Sequence, residues 1–271
     1  MDEEIKTANP LGYQKISKLL RSLAIPAIIA NLVNALYNVV DQIFIGQGIG
    51  YLGNAATNIA FPITTICLAI GLTLGIGGAS NFNLELGKGN PEKSKHTAGT
   101  AASTLIIIGI ILCISIRIFL EPLMISFGAT DKILQYAMEY TGITSYGIPF
   151  LLFSIGVNPL VRADGNARYS MMAIIVGAVL NTILDPLFMF VFHWGIAGAA
   201  WATVISQVVS ASLLLVYFPK FKSVKFSLND FIPQVHYLKR IISLGFASFI
   251  YLFSFFSLLR GLPLYLIDLM V

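Results

Sequence analysis

Long apolar runs alternate with short polar connections along almost the whole chain. Each run is long enough for the roughly 20 residues that an α-helix needs to cross a bilayer, and far longer than the roughly ten-residue strands of membrane β-barrels. The pattern predicts an all-α integral membrane protein with seven candidate spans: Leu19–Ile45, Ala55–Ser80, Ala98–Leu120, Leu134–Val161, Tyr169–Phe192, Gly195–Phe218 and Ile241–Leu266.

The polar segments between the runs predict how the chain is organised. The predicted parts are a cytoplasmic N-terminal tail (1–18), a six-helix bundle (19–218), a cytoplasmic linker (219–240) and a seventh hydrophobic segment (241–271). With the N-terminus in the cytoplasm, only three of the 17 Lys and Arg residues fall outside, namely Arg117, Lys132 and Arg260. Because cytoplasmic loops carry the excess of positive charge, we expect this orientation.

Composition narrows the class of protein further. The chain is 56% hydrophobic and 11% charged, with a mean hydropathy of +0.81, whereas soluble domains carry about 25% charged residues. A soluble enzyme, a disordered regulator and a disulfide-stapled secreted domain are therefore excluded. The net charge of +4 does not indicate nucleic acid, because the basic residues flank apolar runs. Cys67 and Cys113 lie inside apolar runs, where free cysteines behave as small hydrophobic residues.

Two acidic residues lie inside the apolar runs. Asp41 falls in the first run and Asp185 in the fifth. A charged group within a bilayer costs a few kcal/mol, so an acid in a span is a functional candidate by default. Six other acids are expected in the connections: Glu85, Glu92, Glu121, Asp131, Asp164 and Asp230.

Helix geometry predicts that these two acids share one depth with two neutral side chains. A rise of 1.5 Å per residue places Asp185 about 11 Å, Thr203 about 12 Å and Asp41 about 8–14 Å from the outer ends of their runs. Asn181 lies one helical turn before Asp185 and faces the same side. Oxygen ligands suit hard cations, and two close carboxylates favour proton uptake, so the cluster predicts Na⁺ or H⁺ binding. Taken singly, Asn181 and Thr203 also fit hydrogen bonds to a neighbouring helix.

Further polar groups line the predicted spans: Asn34, Tyr37, Asn38 and Asn158. Aromatic and amide groups beside a carboxylate suit a bulky organic cation, although a stripe of contacts between helices would show the same pattern. Pro26 and Pro186 interrupt the first and fifth runs, which predicts kinks at these positions.

Four stretches resemble the multidrug and toxic compound extrusion (MATE) transporters, in particular the bacterial drug/cation antiporters. They are NALYNVVDQIFIG, LGNAATNIAFP, NPLVRADGNARYSMM and AVLNTILDPLFMF, and the resemblance covers roughly Leu19 to Phe249. It implies a multi-pass protein of the bacterial cell membrane that exchanges Na⁺ or H⁺ for cationic amphipathic drugs or dyes. It further implies twelve helices in two six-helix lobes around a central cleft.

By motif position, the resemblance implies roles for individual residues. The cation-coupling cluster of the N-terminal lobe corresponds to Asp41, Asn181, Asp185 and Thr203. Tyr37 and Asn158 correspond to polar positions of the adjoining cavity, and Pro26 to a helix bend. Apart from the coupling ion, no cofactor is implied.

The chain departs from the family pattern in length. It contains one lobe, the linker and a seventh segment that stops resembling the family after GFASFI. We therefore expect a half-length antiporter whose partners are the lipid bilayer, small cationic compounds and a second lobe or second copy. A non-transporting truncated fragment is the alternative, and a lipid-linked precursor flippase is a third hypothesis that the scarcity of basic residues in the spans disfavours. An intramembrane enzyme is rejected, because neither HExxH nor clustered Asp-rich motifs occur.

Overall fold

The computed structural model describes residues 15–250, all of whose regular elements are helical. Most of the predicted tail and the part of the seventh segment beyond residue 250 lie outside the described residues. The helices, numbered in chain order, are α1 (Ile16–Gly48), α2 (Tyr51–Gly87), α3 (Pro91–Ile118), α4 (Leu120–Ser126), α5 (Asp131–Thr144), α6 (Ile148–Ala163), α7 (Ala167–Pro186) and α8 (Gly195–Tyr217).

Six helical units of the described chain are long and apolar enough to cross a membrane. They coincide with the first six predicted spans, which confirms the predicted bundle of six membrane helices. The fourth span differs from its prediction, because α5 and α6 are separate helices joined by a 3-10 turn at Ser145–Gly147. Pro149 stands in the first turn of α6, where the N–H group that proline lacks would have no partner within the helix.

Short polar connections end the helices in recognisable ways. Gly165 adopts a φ of 86° between α6 and α7, a conformation that glycine reaches without steric cost. The side chain of Asn166 then caps α7 by accepting a hydrogen bond from the backbone nitrogen of Tyr169 at 3.2 Å. These two residues set the antiparallel return of α7, which carries Asn181 and Asp185.

Helix α2 is central in the bundle and packs against α3, α5 and α6. Glycines allow its backbone to approach α6 closely, since a Cβ atom at Gly75 would lie 2.5 Å from the carbonyl oxygen of Gly156. Such small-residue contacts hold membrane helices together where no water is present to drive association. On the outside of the bundle, α3 exposes an aliphatic stripe suited to lipid: Ile107, Ile111, Ile114 and Ile118.

Helix α1 lies at the edge of the bundle and packs mainly against α7. Only 11% of its apolar stretch is buried, against 44% for α2. Its exposed face includes the side chains of Asn31, Asn34 and Asn38. Unsatisfied amides are costly in lipid, so this face fits a water-filled space or a protein partner better than hydrocarbon.

The predicted linker folds back onto one end of the bundle, called here the linker end. Phe218, Phe221, Phe226 and Phe231 form an aromatic cluster with ring centroids 5.0–5.6 Å apart. Residues 235–250 are helical, so this helix begins before the predicted span at Ile241. It packs closely on α2, since a Cβ atom at Gly245 would lie 1.9 Å from the carbonyl oxygen of Thr73.

Candidate functional site

The four residues of the predicted cation cluster meet where α1, α7 and α8 come together. The side-chain nitrogen of Asn181 donates to Oδ1 of Asp185 at 3.2 Å and to Oγ1 of Thr203 at 3.5 Å. Asp41 reaches the same place from α1, and its carboxyl group lies next to that of Asp185. The structure therefore brings together the side chains that depth along the helices selected.

The oxygens of this cluster are buried and incompletely paired. Asp185 is fully buried and Asp41 is 7% exposed. Among residues 15–250, neither carboxylate forms an ion pair, and Oδ1 of Asp41, Oδ2 of Asp185 and Oδ1 of Asn181 have no hydrogen-bond partner. Buried charges in folded proteins are normally paired, so these oxygens favour a positively charged occupant.

The donor set indicates which occupant fits. Two carboxylates, an amide oxygen and a hydroxyl offer the oxygen ligands that hard cations prefer, and the two adjacent carboxyl groups can instead share a proton. Within residues 15–250, no three His, Cys, Asp or Glu side chains gather as ligands. The oxygen donors of the cluster suit a small cation or a proton.

A cavity of about 250 Å³ adjoins the cluster. The three predicted cavity residues line it, namely Asn34, Tyr37 and Asn158, together with Asn181 and Thr203. Leu68, Leu72, Leu151, Ile155 and Ile174 form the aliphatic part of its wall, and further polar groups come from Asn31, Ser154, Arg162, Ser206, Gln207 and Ser210. Asn38 does not belong to this cavity: its side chain donates to the backbone oxygen of Asn34 at 2.7 Å and lines a separate groove.

The two predicted proline kinks have different settings. Pro186 is the last residue of α7, and the next five residues, Leu187–Val191, are π-helical, so the regular ladder is broken beside Asp185. Pro26 is buried inside α1, which runs unbroken through this position. A bend at Pro26 stays a prediction.

Tyr140 belongs to the site, although the sequence pattern did not single it out. Its hydroxyl lies near the side chain of Thr203, and it interacts electrostatically with Asp41 and Tyr37. Tyr140 comes nine residues after Asp131, the start of α5, so it lies about 14 Å along that helix. The depth count that selected Thr203 would therefore have found Tyr140 as well.

Three of the acids that were expected in the connections are buried at the linker end. Asp164 and Asp230 do lie in connections, whereas the expectation was wrong for Glu85. Glu85 stands in the last turn of α2, where its Oε1 atom lies 3.0 Å from Nζ of Lys88 and 3.2 Å from Nη1 of Arg240. The Oδ1 atom of Asp230 lies 3.2 Å from Nδ1 of His96.

The third of these acids, Asp164, receives the docked linker. Its carboxylate accepts a hydrogen bond from the hydroxyl of Tyr217 at 2.8 Å. It also accepts from the backbone nitrogens of Lys222 and Ser223, each at 2.9 Å. These partners lie more than 50 residues further along the chain, so local sequence patterns carry no signal for this contact.

Comparisons with known proteins agree with this geometry. The MatE family profile matches residues 26–187. Multidrug export protein MepA of Staphylococcus haemolyticus is 25% identical over 240 residues, which cover 87% of this chain and 52% of MepA. Probable multidrug resistance protein YoeA of Bacillus subtilis is 29% identical over 224 residues, 79% of this chain and 48% of YoeA.

A solved structure shows the same architecture. The crystal structure of MATE in complex with MaD3S superposes with a TM-score of 0.81 at 29% identity, over 88% of this chain and 54% of that one. The chain thus spans about half the length of the relatives that it matches. Because the profile covers more than half of the chain, including Asp41 and the whole of α7, the chain belongs to the MatE family, the MATE multidrug efflux transporters.

Proposed function

We propose that this chain is the cation-coupling lobe of an antiporter that exports cationic amphipathic compounds in exchange for Na⁺ or H⁺. The observation that carries the proposal is the set of buried, unpartnered oxygens on Asp41, Asp185 and Asn181 beside a cavity lined by aliphatic and polar side chains. A bound cation or proton would neutralise the two carboxylates, whose like charges otherwise repel each other.

A cation bound at the cluster would change how firmly α1 is held against α7. Asp41 belongs to this edge helix and Asp185 to α7, so a cation held between them joins the two helices. Tyr37 lies in the cavity one turn before Asp41 and offers an aromatic face to an organic cation. A cationic compound in the cavity and a small cation at the carboxylates then compete for the same negative charge, which is the basis for exchange.

We propose that a second lobe covers the cavity in the working transporter. The chain spans about half the length of its relatives, and the cavity borders the exposed amides Asn31 and Asn34 on α1. The charge distribution supports placing the N-terminus and the linker end on the cytoplasmic side of a bacterial cell membrane.

Drug susceptibility of an efflux-deficient bacterium that expresses the chain tests this function. We expect raised resistance to ethidium with the wild type, loss of this resistance with Asp41→Asn, and retention with Glu121→Gln, which removes an exposed acid at the start of α4. Membrane abundance is measured for each variant. Absence of resistance at equal abundance would contradict transport by assembled copies of this chain, in which a second copy serves as the second lobe.

A further inference from the structure

The docked linker alternates buried apolar residues with exposed lysines directly after α8. The inward side chains are apolar and buried, namely Phe218, Phe221 and Val224. The outward side chains between and after them are exposed lysines, namely Lys220, Lys222 and Lys225. Residues 219–227 contain no acidic residue. The linker therefore presents a basic surface, called here the lysine face, which consists of these three lysines.

The ammonium groups of the lysine face are unpaired. In the part of the chain that the structure describes, none of them forms an ion pair. Other basic residues at the linker end do, since Lys88 and Arg240 lie 3.0 and 3.2 Å from the carboxylate of Glu85. The acids that hold the linker, Asp164 and Asp230, are buried and have partners other than these ammonium groups. The charge of the lysine face is therefore left for an anion from outside the described chain.

The backbone that carries the lysine face is held in place by the bundle. The carboxylate of Asp164 accepts hydrogen bonds from the backbone nitrogens of Lys222 and Ser223, each at 2.9 Å. The ring of Phe221 packs edge-on against Phe82 of α2, with ring centroids 6.0 Å apart. A preorganised surface loses less conformational entropy on binding than a flexible loop. The fixed backbone therefore favours binding by the lysine face.

The length of α8 places the lysine face at the depth of lipid headgroups. This helix has 23 residues, which corresponds to about 34 Å. The hydrocarbon core of a bilayer is about 30 Å thick, and about 40–45 Å with its headgroup layers. Exposed Trp194 directly precedes α8 at the opposite end, where tryptophan is typical of the membrane interface. With Trp194 in one interface, Lys220 comes just beyond the hydrocarbon core on the other side.

Exposed aliphatic side chains follow the lysines in the same linker. Leu228 is 88% exposed, Ile232 is 60% exposed and Val235 is 68% exposed. Segments that lie in a membrane interface combine basic residues with large apolar ones, because the two reach the headgroups and the upper acyl chains respectively. A polyanion in water, such as nucleic acid, would meet the lysines but leave the aliphatic side chains exposed. The composition of the linker therefore favours a lipid surface.

We propose that the lysine face binds the headgroups of anionic phospholipids, while Leu228 and Ile232 contact the upper part of their acyl chains. The bound lipids hold the linker against the bundle at the point where the chain continues into the helix of residues 235–250. Anionic lipids give the cytoplasmic leaflet its negative surface potential, which agrees with the orientation proposed above. The inference does not depend on transport, because it concerns a surface outside the cavity.

A tryptophan reporter in the linker measures which lipid lies beside it. Leu228→Trp is introduced into the full chain together with Trp194→Phe and Trp201→Phe, so that no other tryptophan remains. Quenching of its fluorescence by brominated phosphatidylglycerol and by brominated phosphatidylcholine gives the relative binding constant of the two lipids. We expect phosphatidylglycerol to be preferred at least about tenfold at low ionic strength, since each lysine near an anionic surface contributes roughly a factor of five. The preference should fall as salt is added.

Two sets of charge variants of this reporter chain separate the lysine face from positive charge in general. Replacing its three lysines by Gln should reduce the preference to less than about twofold, and replacing them by Arg should keep it, because Arg retains the charge. The matched control removes three exposed basic residues from the start of α1, namely Lys15, Lys18 and Arg21. These control replacements by Gln should change the preference less than about twofold. An equal loss in both Gln variants would show a general effect of charge and overturn the proposal.

The remaining outcomes of the quenching experiment are equally decisive. Absence of quenching by either lipid would place the linker outside the bilayer and overturn the proposal, as would equal quenching by both lipids in the reporter chain. Soluble glycerol 3-phosphate carries the same phosphate chemistry without acyl chains and should not restore the fluorescence. Full recovery of fluorescence by this compound would show a site for free phosphate and contradict the assignment to lipid.

Discussion

Buried acids at the two ends of the bundle differ in whether their carboxylate oxygens have partners. At the linker end, the carboxylates of Glu85, Asp164 and Asp230 have cationic or N–H and O–H partners within hydrogen-bond reach. In the cation cluster, Asp41 and Asp185 lie next to each other, and each keeps one oxygen without a partner.

This difference separates the acids that hold chain segments together from the two that we propose bind a cation. A fully satisfied carboxylate contributes to folding by holding chain segments together, because its removal leaves donors unpaired. Two adjacent carboxylates without a cation destabilise the folded state. Proteins keep such destabilising arrangements at sites where a bound ligand relieves the strain. All five acids are buried, so burial does not distinguish them. The number of hydrogen-bond and ion-pair partners of each carboxylate does.

The largest effect on stability is expected from Asp164→Ala. The substitution leaves the hydroxyl of Tyr217 and two linker backbone nitrogens without their acceptor, so the free energy of unfolding should fall by about 3 kcal/mol. Denaturant unfolding in detergent measures this loss, with exposed Asp131→Asn as the control. A loss no larger than that of the control would contradict the assigned role of Asp164.

A smaller loss is expected from Gly99→Ala on α3. A Cβ atom at this position would lie 2.1 Å from the backbone oxygen of Asp230, so the linker must move away, at a cost of about 1–2 kcal/mol in the free energy of unfolding. Gly87→Ala is the matched control, because nothing lies within 4 Å of its added Cβ atom. Hydrogen exchange should become faster in residues 219–234 for Gly99→Ala only; equal exchange in both variants would refute the docking contact.

The smallest effect is expected from Thr203→Val in the cation cluster. The change keeps the shape of the side chain but removes one oxygen, and its bond with Asn181 is long at 3.5 Å, so stability without a cation should hardly change. Cation affinity should fall roughly fivefold, about 1 kcal/mol. Isothermal titration calorimetry compares the cation affinity of this variant with that of Thr182→Val. In the wild type, the hydroxyl of Thr182 donates to the backbone of its own helix. Equal affinities in the two variants would show that Thr203 is not a ligand.

Much of the bundle and of the cation cluster could be predicted from the sequence because membrane helices have a fixed rise. The length of the apolar runs defined six spans, and residue counting along them placed Asp185 and Thr203 at one depth. The same count reaches Tyr140, although the pattern of acids and amides did not single it out. The helix break at α5 and α6 was hidden because both helices lie within one apolar run.

The linker end could not be predicted in this way. Asp164 is buried because a segment more than 50 residues later returns to it, and the backbone N–H groups that bind it belong to every residue type. Periodicity reports which face of a helix is apolar, whereas these features depend on long-range contacts.

The direct test of the central claim is the unfolding temperature of the purified chain as NaCl replaces choline chloride at constant ionic strength, repeated at several pH values. A cation or proton that binds only the folded cluster stabilises it by about 2.7 kcal/mol at one hundred times its Kd. We predict that the wild type and Glu121→Gln gain stability with Na⁺ or with falling pH, and that Asp185→Asn loses this gain without losing basal stability. An equal gain in Asp185→Asn would show that the two carboxylates are not the cation site.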